Sequence, residues 1–337
     1  MKKISVVILN WNGEAMLRQF LPSVVEYSEA EGVEVCVADN ASSDASCDVV
    51  RKEFPSVRLI ELEENYGFAE GYNRALQQVD AEYAVLLNSD VEVTPHWLEP
   101  LLHFMEAHPE VAACQPKLLS RRNKEFFEYA GAAGGYIDRY GYPFCRGRIF
   151  ETVEKDDGQY DTVMPVFWVS GAAFFVRLKD YREAGGLDGS FFAHMEEIDL
   201  CWRLRSRGRG LVCIPQSVVY HVGAATLKKE SPRKTYLNFR NNLLMLYKNL
   251  PEKELNHVLR VRSLLDRIAV VVFYLKKDKE NAKAVLQARK DFESTRYGFA
   301  SARVRLPTGL FPKEWGIAFY GNIMRWARKG SHNCVIL

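Results

Sequence analysis

The sequence predicts an α/β fold built on a mostly parallel sheet, followed by a basic, mainly helical C-terminal region. Three observations carry this. Short, β-branched, continuously apolar runs recur roughly every 25–30 residues, each followed by a polar loop and a segment of helical periodicity. The 337 residues are 47% hydrophobic and 26% charged, ordinary values for a soluble chain that forms a core. The net charge of +2 divides unevenly: residues 226–337 hold 23 Lys and Arg against 9 Asp and Glu, and residues 1–225 hold 22 against 34. A basic C-terminal third suits an anionic partner, membrane or nucleic acid.

ISVVIL (4–9) reads as a strand buried on both faces. Its apolar run is too short for a secretory leader, which needs roughly 7–15 apolar residues, and Asn10-Trp11-Asn12-Gly13 stops it. EAMLRQFLPSVVEY follows with helical spacing. VEVCVAD (33–39) is a second buried strand, ended by NASSDAS with its helix-cap residues. VRLIEL (57–62) is a third, and the loop ENYGFAEGYN leads into a helix near 69–79. YAVLLN (83–88) is a fourth, ending at Ser89-Asp90. Strands in this rhythm run parallel through right-handed crossovers, with polar residues gathered at the strand ends where ligands bind.

Beyond residue 91 the alternation fades. HWLEPLLHFMEAHP reads as a helix, VAACQPKLL as a strand and 120–160 as a long irregular region. VFWVSGAAFFVR (166–177) reads as a strand interrupted at Ser170-Gly171, and LVCIPQSVVYHVG (211–223) contains the last strands. From 235 onward, YLNFRNNLLMLYKNL and ELNHVLRVRSLLDRIAVVVFYL are amphipathic helices with basic faces. The seven cysteines show no paired spacing and read as small core residues in a reducing compartment. No stretch approaches the roughly 20 apolar residues of a spanning helix. The final CVIL matches a prenylation pattern in spelling, for which a chance terminus is the simpler reading.

Several strand-end residues carry chemistry. Asp39, with Asn10 and Asn12 on the neighbouring strand end, offers a carboxylate and amides to the imide edge of a pyrimidine, although turns favour the same residue types. Asp90, in Asn88-Ser89-Asp90, suits a divalent metal bridging a diphosphate, or a turn before Pro95. His221 with Asp90 completes an oxygen–nitrogen pair suited to Mn2+ or Mg2+, or is a satisfied core histidine. Glu196, Glu197 and Asp199 crowd one helix start. The helix dipole explains one or two of them. It does not explain three beside Phe191, Phe192 and His194, a partly dry wall that raises a carboxylate's pKa toward that of a general base.

VVILNWNG, VADNASSD, ENYGFAEGYNRAL, LLNSDVEV, VSGAAFFVR, MEEIDLCWRLRSRG and YHVGAAT occur in this order. Over about residues 1–245 the chain resembles the family 2 glycosyltransferases with the GT-A fold, a Rossmann-like mixed, mostly parallel sheet, and especially their rhamnosyltransferase-like branch. The resemblance implies an inverting transferase that uses a dTDP-, UDP- or GDP-linked sugar and a divalent cation (Mn2+ or Mg2+). Its acceptor is a glycan or lipid-linked glycan of surface polysaccharide synthesis. It further implies a catalytic domain over 1–225, with a nucleotide half at about 1–90 and an acceptor half at about 91–225, before the basic helices of 226–337.

Residue by residue, it assigns Asp39, Asn10 and Asn12 to the base, and Gly67, Phe68, Gly71 and Asn73 to the nucleotide and diphosphate. Ser89 and Gly171 go to the donor, Asp90 and His221 to the metal, and Glu197 to the general base, with Glu196 and Asp199 as alternatives. The chain departs from the family in reading Asn-Ser-Asp for Asp-x-Asp, and Glu rather than Asp at the base. A catalytically degenerate nucleotide-sugar-binding or scaffold protein is the alternative. Nucleic-acid binding lacks a reader motif. The tail reads as peripheral membrane contact, with Arg260, Arg262, Arg267, Lys276 and Lys277 beside aliphatic residues, implying a cytoplasmic protein at the inner face of the membrane. Packing on the catalytic domain or on a second subunit is the competing reading.

Overall fold

A computed structural model describes residues 1–149, 152–223 and 231–303. The CVIL terminus and the boundary expected near 225 lie outside the described residues. β1 (Lys2–Asn10), β2 (Val33–Asp39), β3 (Arg58–Glu61) and β4 (Ala81–Asn88) alternate with α1 (Glu14–Tyr27), α2 (Ser46–Glu53) and α3 (Gly67–Gln77). β1 pairs in parallel with β2 and β4, and β3 adds in parallel to β2. Both faces of β1 are covered, which is why its run is continuously apolar. Val6 and Ile8 pack with Leu17 and Leu21 of α1, and Val7 packs with Tyr72 and Ala75 of α3.

β5 (Val91–Val93), α4 (Leu98–Ala107) and β6 (Val111–Ser120) follow. The region expected to be irregular folds into a separate antiparallel sheet of β7 (Gly135–Ile137), β8 (Pro143–Cys145), β9 (Arg148–Ile149) and β10 (Thr152–Val153). These strands are two or three residues long, too short to leave an alternating pattern. β11 (Met164–Pro165), β12 (Ala173–Arg177) and β13 (Gly210–His221) complete the main sheet. Its order is β11-β13-β6-β12-β4-β1-β2-β3, with β5 on β13. β12 runs antiparallel to β4 and β6, and β13 parallel to β6, so the sheet is mixed and mostly parallel.

The strand expected over 166–177 starts only after Gly171. Residues before it leave the register of β12: Val166 N–H donates to Leu211 O (2.9 Å) and Trp168 O accepts from Gly135 N–H (3.0 Å). α5 (Leu178–Glu183) and α6 (Glu196–Ser206) precede β13, and α7 (Pro232–Asn249), α8 (Glu252–Leu275) and α9 (Lys279–Thr295) close the described chain. Ser231 caps α7 by accepting from Lys234 N–H, with Pro232 at its first turn. Arg262 departs from the exposed basic face the sequence suggested. It is 2% exposed, donates to Tyr140 O (3.2 Å) and to the Asn242 side chain, and pairs with Asp266. The six described cysteines are free thiols.

Candidate active site

The register of the parallel strands sets the site. Asn10 lies beside Asp39 and Leu9 beside Asn88, so three strands present polar residues at one sheet edge. Asp39 is buried and accepts from the Asn10 amide (2.9 Å) and the Ser42 N–H (2.8 Å). Asn10 Oδ1 is buried without a partner, an acceptor left open at this edge. Asn12 closes the loop above by accepting from Ser43 N–H (2.7 Å). Asn40, read from the sequence only as part of the helix-capping NASSDAS, donates to Gly67 O (3.0 Å) and accepts from Tyr66 N–H (3.0 Å). It thereby holds the start of α3 against the end of β2.

At that start Gly67 has φ +75°, and a β-carbon there would lie 2.5 Å from the Phe192 ring, so only glycine fits. Phe68 N–H donates to Phe192 O (2.9 Å), and Gly71 packs tightly on Leu9 and Asn40. Asn73 points elsewhere. Its amide donates to Leu187 O (2.8 Å) and accepts from the Tyr181 hydroxyl (2.7 Å) and Leu187 N–H (3.0 Å), tying α3 to the 181–187 turn.

Past β4, Ser89 is half-buried in the turn before β5. Asp90 and His221 are both buried, with Oδ1 and Nε2 3.1 Å apart, and Asn88 Nδ2 lies 3.4 Å from the same nitrogen. Glu128, also buried, places Oε1 3.5 Å from His221 Nδ1. Burial opposes protonation of His221, but the hydrogen bonds and charges of Asp90 and Glu128 outweigh it and raise its pKa to about 10. Burial likewise opposes ionisation of Asp90, and His221 reverses this, holding the carboxyl below its ordinary value. Among the described residues no group of three or more His, Cys, Asp or Glu is disposed to hold a metal ion. Asp90 offers an oxygen donor, and His221 offers a nitrogen donor once a bound cation displaces its proton, with Glu128 behind the ring in the orienting position common for metal-bound imidazoles. This donor pair fits a hard or borderline divalent cation whose remaining ligands come from substrate oxygens or water. Glu128 had no sequence signal, because it lies in the region without periodicity.

The three acids divide sharply. Asp199 is fully buried and accepts from Arg203 Nε (2.8 Å), Lys248 Nζ (2.9 Å) and Asn249 Nδ2 (2.7 Å). Neutralised by two cations, it is a structural anchor, which removes it as an alternative base. Glu196 is 5% exposed, and burial, then the charge of Glu197, pushes its pKa well above the ordinary value. Glu197 is half-buried, its Oε2 has no hydrogen-bond partner, and burial raises its pKa to about 6. A β-carbon on Gly171 would stand 3.8 Å from both Glu197 and the Phe68 ring. The next residue, Ala172, accepts from Asn88 N–H (3.0 Å). The Gly171-Ala172 turn thus links the acid helix to the strand end before Asp90.

The approach to α6 is strained. Phe192, His194 and Met195 have φ of 64°, 70° and 74°, conformations that disfavour non-glycine residues. Asn241 of α7 holds them, donating to Phe191 O (2.9 Å), Ala193 O (2.9 Å) and His194 O (2.8 Å). Burial, aided by Lys234, lowers the His194 pKa to about 4.

The family model Glycosyl transferase family 2 matches residues 5–165, from β1 through β11. The N-acetylglucosaminyl-diphospho-decaprenol L-rhamnosyltransferase of Mycobacterium tuberculosis (strain CDC 1551 / Oshkosh) is 28% identical over 236 residues, 65% of this chain and 75% of that protein. The structure of S. aureus TarS 1-349 in complex with UDP-GlcNAc superposes with a TM-score of 0.58 at 16% identity, covering 98% of this chain and 89% of that one. GalNAc-T7 with UDP, GalNAc and Mn2+ gives a TM-score of 0.57 at 15% identity, covering 74% of this chain and about half, 48%, of that one. At such identities the two structures speak for the fold alone. Among the described residues no helix is long and apolar enough to cross a membrane. Over residues 5–165 the chain matches the family 2 glycosyltransferase model, its sheet is that of the GT-A fold, and it is similar to a mycobacterial rhamnosyltransferase.

Proposed function

We propose that the chain is an inverting glycosyltransferase. It moves a sugar, with rhamnose the first candidate, from a nucleoside-diphosphate sugar to a hydroxyl of a lipid-diphosphate-linked glycan, on the cytoplasmic side of the membrane. The observation that carries this reading is the half-buried Glu197. Its Oε2 has no hydrogen-bond partner, burial raises its pKa to about 6, and its Cβ and Cγ stand beside Gly171 in the turn that bonds to the end of β4. A group ionised just below neutral pH, in a partly dry setting, suits a general base.

Glu197 takes the proton of the acceptor hydroxyl as its oxygen attacks the anomeric carbon. The bond from that carbon to the diphosphate oxygen breaks on the opposite face, and the diphosphate leaves with the electron pair. A single displacement inverts the anomeric centre. Asn10, Asn12 and Asp39 orient the base, and Gly67, Phe68 and Gly71 keep α3 close to the nucleotide. Ser89 and Gly171 line the donor. Asp90 and His221 would hold a divalent cation, which when bound neutralises charge on the leaving diphosphate. The acceptor class draws on the rhamnosyltransferase relative, whose name specifies a sugar on a decaprenyl diphosphate.

The test is release of nucleoside diphosphate from dTDP-, UDP- and GDP-sugars, with a lipid-diphosphate-linked N-acetylglucosamine as acceptor, with and without Mn2+ or Mg2+. One donor is expected to turn over, with turnover lost on chelation and in Asp90→Ala. Metal-dependent donor binding with no turnover on any acceptor would favour the non-catalytic scaffold instead.

A further inference from the structure

α8 shows two opposed faces. One is buried on the body through Leu255, Val258, Arg262, Asp266 and Val270. The other leaves Leu264, Ile268, Val271, Val272 and Leu275 between 42% and 78% exposed. These five recur at helical spacing, so they form one continuous apolar strip along the last three turns. Scattered exposed aliphatics need no explanation, but a contiguous strip does.

The charges around the strip identify what covers it. Arg260, Arg267, Lys276, Lys277 and Lys279 are all exposed on or just beyond this helix. Of the acids, Glu252 and Glu254 stand at the first turn away from the strip, Asp266 is fully buried and paired with Arg262 and Arg289, Asp278 caps α9, and Glu280 is paired with Lys283. A second copy would bring the same cations against themselves. Residues 304–337 carry five Lys and Arg against one acid, so they too lack the complementary charge. An anionic lipid surface has it. It also accepts an apolar strip at the depth of the headgroups without requiring a spanning helix.

We infer that the exposed face of α8 is a docking surface for an anionic lipid bilayer. The helix lies in the interface, with Leu264, Ile268, Val271, Val272 and Leu275 entering the acyl boundary and the flanking cations facing the headgroups. This goes beyond the transfer reaction and does not depend on it: a soluble acceptor would leave the docking face intact.

The test is co-sedimentation of the full chain with phosphatidylglycerol/phosphatidylcholine vesicles and with pure phosphatidylcholine vesicles at low and high salt, alongside sedimentation velocity without lipid. The expected result is binding to anionic vesicles that weakens with salt and is roughly tenfold or more weaker in Ile268→Glu/Leu275→Glu, with an unchanged melting temperature. If that double variant misfolds, the milder Leu264→Ser/Val271→Ser carries the test and is expected to weaken binding in the same direction. Absence of binding to anionic vesicles, or binding that folded variants leave intact, overturns the proposal. So does a wild-type dimer that either folded variant converts to monomer.

Discussion

Glu196 and Glu197 are adjacent in sequence but live in different surroundings. Glu197 keeps partial access to solvent and a pKa raised by burial to about 6. As a base it acts only when ionised, so kcat/KM is expected to rise with pH through about 6 and then level. Glu197→Gln should remove that rise along with roughly 10²–10⁴ of the rate. A pH profile of sugar transfer checks both, and an unchanged profile in the variant would dismiss Glu197 as base. Glu196 is raised further, by burial first and by Glu197 second. Its folded pKa lies above its unfolded one, so the stability it contributes is complete below about pH 4.3 and is lost as pH climbs through the folded value. Glu196→Gln is therefore expected to raise the melting temperature at pH 8, by about 2 °C or more, and to change little at pH 4. Thermal melts at the two pH values decide this. Neither environment follows from the string EEID, because burial is set by what packs on the helix.

At the scale of elements, α7 supports the loop before α6 from behind. Asn241, fully buried, holds three carbonyls of the strained loop that aims α6. Asn241→Ala removes the side-chain donor from Ala193 O and His194 O, while Phe191 O keeps the Ala193 N–H, at a cost of about 1–3 kcal/mol. It is also expected to lower kcat more than the donor KM, since it loosens the base rather than the nucleotide edge. Urea unfolding paired with steady-state kinetics tests this; a stability loss with kcat intact would reduce Asn241 to a purely structural role. The helices α1 and α3 and the strands around them were legible from local periodicity. The small sheet of β7–β10 was not, because its strands are short and its first strand bridges to the distant Trp168.

For the molecule as a whole, Asp199 of α6 joins the sheet-bearing part to α7 through Lys248 and Asn249, about 50 residues along the chain. We expect the two parts to unfold together. Asp199→Ala would leave Arg203 without its carboxylate and Lys248 with Asp188 alone, at about 3–5 kcal/mol. The variant should lower one shared transition, seen alike by far-ultraviolet circular dichroism and tryptophan fluorescence. Two separated transitions would instead support independent units meeting near residue 225. By itself, the sequence determined the parallel βαβ frame and the level row of polar strand ends, since both follow from apolar periodicity within single segments. It also marked the cluster of acids at 196–199. Only the tertiary structure decided which acid is neutralised and which is left open. It likewise decided that Glu128 backs His221, and that Arg262 turns inward while the aliphatic strip of α8 faces out. The reason is physical: these outcomes are settled by charge partners and packing from distant parts of the chain, and no local pattern encodes where a distant partner will stand.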